Sequence, residues 1–168
     1  MPTIKAEMRG LKELEAELGR FHPLFMAEIR KMMTISLDLM EQLVVKYTPV
    51  GVTAALRGSI SSYVEGAPET ALLGHVAHGM LYGDVAEVGR QPGKIPPASA
   101  LELWVVRKLG LSGEEATSAA WLIARSIGKR GTKGAHMFEK AFKEGARRLI
   151  LYWADLPRYV IEKAGLNK

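Results

Sequence analysis

The chain has 168 residues, 48% of them apolar and 24% charged, which suits one domain with a buried core, or one domain with an attached helical arm. It contains no cysteine, so disulfides, thiolate catalysis and cysteine-ligated metals are excluded. The formal charge is +5 at pH 7. Much of the excess sits at Lys129, Arg130 and Lys133, and again at Lys140, Lys143, Arg147 and Arg148. Such runs read as solvated faces first and as contacts to nucleic acid or an acidic partner second.

No apolar run approaches the roughly 20 residues of a membrane span. The first residues lack the apolar core of a secretory signal. The expected location is the cytoplasm, or a particle built there. Asparagine occurs once, at Asn167, and glutamine only at Gln42 and Gln91. This depletion of labile amides points to a thermophilic host.

Ile4, Met8, Leu11, Leu14 and Leu18 mark one face of a first helix. Gly19 and Pro23 predict a break after it. A long helix is expected from Pro23 to Tyr47 with two apolar stripes. One holds Met26, Ile29, Met33, Leu37, Met40, Val44 and Tyr47. The other holds Phe25, Met32, Leu39 and Leu43. Apolar residues on two sides predict more than one neighbour, and Met32 and Leu39 are candidates for a subunit contact.

Thr48-Pro49-Val50-Gly51 ends that helix. Ser59 to Glu65, Thr70 to His78 and Leu81 to Val88 read as three short strands of an antiparallel meander, with a turn at Gly66 to Glu69. His75 and His78 fall on opposite faces of a strand, so no shared metal is expected. Asp84 and Glu87 likewise point apart, which suits a solvent or interface role. The Pro/Gly-rich loop from Arg90 to Pro97 is either an ordinary surface loop or a segment that orders on a partner.

Ser99 to Glu102 and Ser112 to Glu115 match capping boxes at the starts of two helices. The first helix carries Trp104 and ends at Gly110. The second has a small face of Ala116, Ala119, Ala120, Ile123, Ala124 and Ile127, and Gly128 is placed at its end. A basic glycine loop, Gly128 to Gly134, leads into a helix marked by Met137, Phe138, Ala141, Phe142, Ala146, Leu149 and Trp153. Trp104 and Phe138 are expected to be buried. Pro157 interrupts that helix, and a short one follows from Arg158 to Ala164. The fold class is α+β: a small antiparallel meander with a long N-terminal helix and a C-terminal helical cluster. The expected divisions are an arm at 1–22, the main domain at 23–156 and a tail at 157–168.

No nucleophile elbow, metal-ligand spacing or phosphate loop occurs, and an enzyme is not expected. The loop from Gly128 to Gly134 lacks the order of a phosphate loop and follows a helix rather than a strand.

Several stretches together resemble the tail-completion, or neck, proteins of long-tailed, lambda-like bacteriophages. That family often shows Pro-x-x-Thr-Gly-x-Leu-x-x-Ser-Ile after a long helix. Pro49, Thr53, Leu56, Ser59 and Ile60 are similar, with one inserted residue before Thr53 and Ala54 where glycine is usual. Tyr82, Val85, Glu87 and Gly89 resemble a Tyr-x-x-x-Val-Glu-x-Gly pattern, with Ala86 lying between the valine and the glutamate. Ile127, Gly131, Thr132 and Phe138 resemble a turn before a phenylalanine, without the proline often found there. The resemblance spans about Val44 to Phe142. It implies a non-catalytic structural protein with no cofactor, assembled as a ring, commonly of six. Its implied partners are further copies of itself, the head connector or stopper, the tail tube protein, and DNA that passes without sequence-specific contact.

Met32, Leu39, Tyr82, Glu87, Arg90, Lys129, Arg130 and Lys133 are the candidate subunit or partner residues. The basic loop is expected to meet an acidic surface of an adjoining ring rather than the DNA channel. The alternative reading is a DNA-binding accessory protein that uses the basic loop and the helix after it. An unrecognised enzyme or toxin-like module is the third.

Overall fold

A computed structural model describes residues 11–66, 72–163 and 165. One helix sets the architecture. α1 runs from Leu11 to Tyr47 without a break and carries Pro23 inside it. The break predicted at Gly19 and Pro23 does not occur. Proline withholds one helical hydrogen bond and crowds the carbonyl four residues back, which here belongs to Gly19. Both residues are exposed, so water can take up the carbonyl left without a donor. Ile4 and Met8 of the predicted first helix lie outside the described residues.

Both stripes of α1 are covered by the chain itself. Leu43 and Val44 enter a core with Leu56, Ile60, Met137 and Ala141. Met32 enters a second core with Leu156 and Val160, flanked by Phe25, Ile29 and Trp153. Four residues of helix, α2 (Ala55–Gly58), follow the turn after α1. β1 (Ile60–Glu65) and β2 (Leu73–His78) then form an antiparallel ribbon in which Ile60 faces His78 and Glu65 faces Leu73. Ile60 is buried and Tyr63 exposed, as the alternation predicts. The predicted turn residues 67–69 lie outside the described residues.

The third meander strand is not formed. Gly83–Val88 is a short helix, α3. Six residues are too few for periodicity to separate strand from helix. Here the helical spacing wins, and it turns Ala86 onto the first core. The extended backbone resumes only at β3 (Gly89–Arg90), which pairs antiparallel with β4 (Thr132–Lys133).

Between those two strands stands a helical hairpin of α4 (Ser99–Leu109) and α5 (Gly113–Arg130). Its core is Val105, Ala116 and Ala120. Neither capping box closes. α4 starts with Ala98 at the cap, one residue ahead of the predicted serine, and Ser112 occupies the cap of α5 without a side-chain hydrogen bond. Gly128 does not end α5. It is buried within the last turn, and the helix stops at Gly131.

α6 (Met137–Ala154) lies along α1 and buries Met137, Ala141 and Gly145. Lys46 meets Glu144 at 2.8 Å, and the Tyr47 hydroxyl donates to the same carboxylate. α7 (Leu156–Lys163) begins just before Pro157, which is tolerated in a first helical turn. It folds back onto α1, where Lys163 pairs with the buried Glu28. The Trp153 indole donates to Ser36 Oγ at 3.0 Å. The fold is thus α+β, with a long N-terminal helix, a small antiparallel sheet and a C-terminal helical cluster.

Candidate functional site

Two distant stretches meet beside the start of α6. The Ala135 N–H donates to the Ala86 carbonyl at 2.8 Å, and the His136 N–H donates to the Glu87 carbonyl at 3.0 Å. The Glu87 carboxylate then accepts from the Phe138 N–H at 3.1 Å and the Glu139 N–H at 3.4 Å. A carboxylate in this place satisfies two of the free amides at a helix start and lies at the positive end of the helix dipole. His136 holds the cap position at φ 52°, ψ 45° and makes no capping bond of its own. Glu87 therefore acts as the cap of α6, across a gap of fifty-one residues.

The same seam continues through β3 and β4. Gly131 sits at φ 70°, and a β-carbon there would collide with the Arg90 carbonyl. Gly89 sits at φ 83°, and a β-carbon there would collide with the Thr132 carbonyl. Both positions need glycine for the backbone angle and for the closeness of the facing strand. The proline-rich loop is tied to the same place. The Gly93 N–H donates to the Gly128 carbonyl at 2.8 Å, and the Arg90 guanidinium reaches the Lys94 carbonyl.

Glu87, Arg90 and Lys133 are thus brought to one seam, with Lys129 and Arg130 in the adjoining last turn of α5. The latter two are helical rather than part of a flexible loop, and both are exposed. Arg130 bonds the Ser126 hydroxyl one turn back. Tyr82 is exposed at the cap position of α3. Met32 and Leu39 stand apart from this group. Met32 is 6% exposed, under α7 of the same chain, and Leu39 is half-buried against the first core. Asp84 meets His78 at 3.2 Å, and His78 packs tilted against the Phe138 ring.

Trp104 is not buried: it is 40% exposed, because α4 presents Val105 rather than Trp104 to α5. Phe138 is half-buried against the first core. The surface holds large apolar side chains, among them Phe142, which the spacing had set with the apolar face of α6. Trp121 and Leu122 project from α5, and Phe142, Ile150 and Leu151 from α6, each more than half exposed. Their signal was present in the spacing. Trp121 and Leu122 lie on the side of α5 opposite its alanine face, and Phe142 falls one position beyond Ala141. Among the described residues, no group of three histidine, aspartate or glutamate side chains is placed to hold a metal ion. No helix of the described residues is long and apolar enough to cross a membrane. Compared with known protein families, curated proteins and solved structures, the chain matches none.

Proposed function

We propose that the chain is a structural protein of a long-tailed phage virion, completing the tail end and joining the tail tube to the head connector as a ring around the DNA channel. The observation that carries this reading is the seam. The two patterns that resemble the neck family at Tyr82 to Gly89 and at Ile127 to Phe138 are separated in sequence by the whole α4–α5 hairpin. They meet as Glu87 on the start of α6 and as β3 on β4. Of the matched residues, Glu87, Gly89, Gly131, Thr132 and Phe138 thus share one physical task, while Tyr82 and Val85 are exposed at α3. Ala54 adds to the resemblance: it adopts φ 52°, ψ 17°, the left-handed conformation that the glycine usual in that family would adopt freely.

A ring contact between identical subunits needs two different faces, and the uncovered apolar sides of α5 and α6 supply two. The ring takes copies of this chain, the connector or stopper on one side and the tail tube on the other. DNA passes without base-specific contact. The basic end of α5 faces an acidic surface of an adjoining ring.

The test is assembly without this chain, followed by electron microscopy. Filled heads and free tails that accumulate separately, and join when the purified protein is added, are expected. Complete joined particles would sink the proposal. The competing reading is DNA binding, favoured by Arg125, Lys129 and Arg130 around a shallow hollow that no carboxylate lines. It predicts affinity for duplex DNA that falls steeply with salt.

A further inference from the structure

The outer face of α5 has an internal symmetry. Its buried side is Ala116, Ala120, Ala124 and Gly128, at four-residue steps. The opposite side runs Glu114, Ser118, Trp121, Leu122, Arg125 and Lys129, all exposed. Glu114 precedes Trp121 by seven residues, and Lys129 follows Leu122 by seven. Ser118 precedes Trp121 by three, and Arg125 follows Leu122 by three. Reversing the helix about the point between Trp121 and Leu122 thus lays its acidic end on its basic end and its apolar centre on itself.

We infer that this face docks a second copy of the chain, with the two α5 helices antiparallel across a two-fold axis between Trp121 and Leu122. In such an isologous contact each residue meets its mirror partner twice. Glu114 of one copy lies opposite Lys129 of the other, with Glu115 and Arg130 one position to the side of that pair. Trp121 and Leu122 interleave at the centre. Thr117 and Ser118 leave a hollow of about 400 Å³ beside them, which gives the partner's large side chains a seat.

Helix dipoles alone favour acid at the start and base at the end. That accounts for the signs of the two ends but not for a tryptophan and a leucine, 51% and 60% exposed, midway between them. Nor do the ends satisfy each other within one chain. At about 1.5 Å per residue they lie roughly 22 Å apart, well beyond the screening length of about 8 Å at physiological salt. Among the described residues, Glu114, Glu115 and Lys129 form no ion pair. A parallel second copy would set like charges side by side. The antiparallel one sets Glu114 against Lys129 at both ends and Arg125 against the uncharged Ser118.

The contact does not rest on the neck reading. A two-fold contact cannot by itself close a ring; if the chain does enter a ring, this α5 face passes from the second copy to a ring neighbour on assembly. The experiment is sedimentation equilibrium on the purified protein, which involves no phage component. A dimer weakened by salt is expected. Glu114→Lys with Glu115→Lys should weaken it at least about ten-fold, and so should Lys129→Glu with Arg130→Glu. All four changes together should restore it. That quadruple variant opposes the helix dipole most, so a mere loss of helix stability predicts the reverse order; circular dichroism checks that each variant is folded. In the otherwise cysteine-free chain, Leu122→Cys should also cross-link to a dimer on oxidation. A monomer at every concentration, or a dimer that the α5 changes leave untouched, would overturn the proposal. So would a quadruple variant as weak as either double one.

Discussion

The body of the molecule and the α4–α5 hairpin bury their apolar residues very differently. In the body, α1 is covered by α6, the ribbon and α7, and Val44, Met137 and Val160 are each at most 1% exposed. The hairpin also excludes water from its seam, with Val105 and Ala120 at 0%. But its fully buried side chains are small, Val105, Ala116 and Ala120, and Trp104, Trp121 and Leu122 stay outside, as Phe142, Ile150 and Leu151 do on the outer side of α6. Burial stabilises roughly in proportion to apolar area. An alanine face brings two helices close yet removes little area from water. The hairpin is therefore held in place chiefly by the seam at its base, where β3 meets β4 and Gly128 rests against Ile95.

Truncating one large side chain in each region separates the two. Met137→Ala should cost roughly 2–5 kcal/mol, the usual range for emptying a fully buried site. Trp104→Ala should cost under about 1 kcal/mol, as surface changes usually do. Urea melts of both variants decide it. Equal losses would mean that the hairpin is as much part of the core as α6.

Next in size is the seam. Gly131→Ala adds a β-carbon against the Arg90 carbonyl at a left-handed φ. The expected loss is roughly 2–3 kcal/mol. Hydrogen exchange should show the loss concentrated in α4 and α5, with α1 amides still protected. Uniform loss of protection would show that hairpin and body unfold as one.

Glu87→Ala should cost about 1 kcal/mol, the usual worth of a helix cap. The damage should appear in the first turn of α6. Glu87→Gln keeps an acceptor for one amide and should cost less.

This residue also shows what the sequence could and could not disclose. The stripes of α1 were legible because a 3.6-residue period over many turns has no strand counterpart. The β1–β2 ribbon was legible from alternation and flanking turns. The helix α3 was not legible, because the stretch from Leu81 to Val88 supports both periods. The role of Glu87 was invisible, since its partners lie fifty residues on and a carboxylate carries no mark of which amides it will meet. The seam glycines were visible as residues and as part of a resemblance. Their reason, the closeness of a facing carbonyl, is tertiary. Trp104 was misplaced because helical spacing gives a face but not which face is covered.

Two charged clamps hold the body together, and acid should loosen them. Hydrogen bonding from Lys163 holds the Glu28 carboxyl below its usual range, and hydrogen bonding from Lys46, then Tyr47, does the same for Glu144. A depressed carboxylate contributes stability that is complete above its unfolded value, about 4.3, and is lost as pH falls through the folded one. Lys46 and Lys163 are raised by the same hydrogen bonds. Their contribution is complete below the ordinary lysine value and is lost as pH rises through the folded one. Melting temperature should therefore fall on the acid side of the carboxylate range, with α7 detaching first. Glu28→Gln with Glu144→Gln should flatten that part of the profile. An unchanged acid limb would place the titrating groups elsewhere.

The smallest expected effect is a gain. Ala54 precedes α2 at φ 52°, ψ 17°. A left-handed conformation costs a residue with a β-carbon roughly 1–2 kcal/mol. Glycine removes that cost but gives the unfolded chain more freedom, worth about 0.4–1 kcal/mol in the opposite direction. The difference leaves Ala54→Gly more stable by roughly 0.5 kcal/mol. Ala54 is exposed, so no packing is lost to complicate the result. The turn it shapes sends the chain from the end of α1 into β1, where Arg57 donates to the Thr48 carbonyl at 3.2 Å and Leu56 enters the core. The gain should therefore appear in the body and leave hairpin exchange unchanged. A loss on substitution would mean that alanine is not strained here, and that the turn differs from the one a glycine would make.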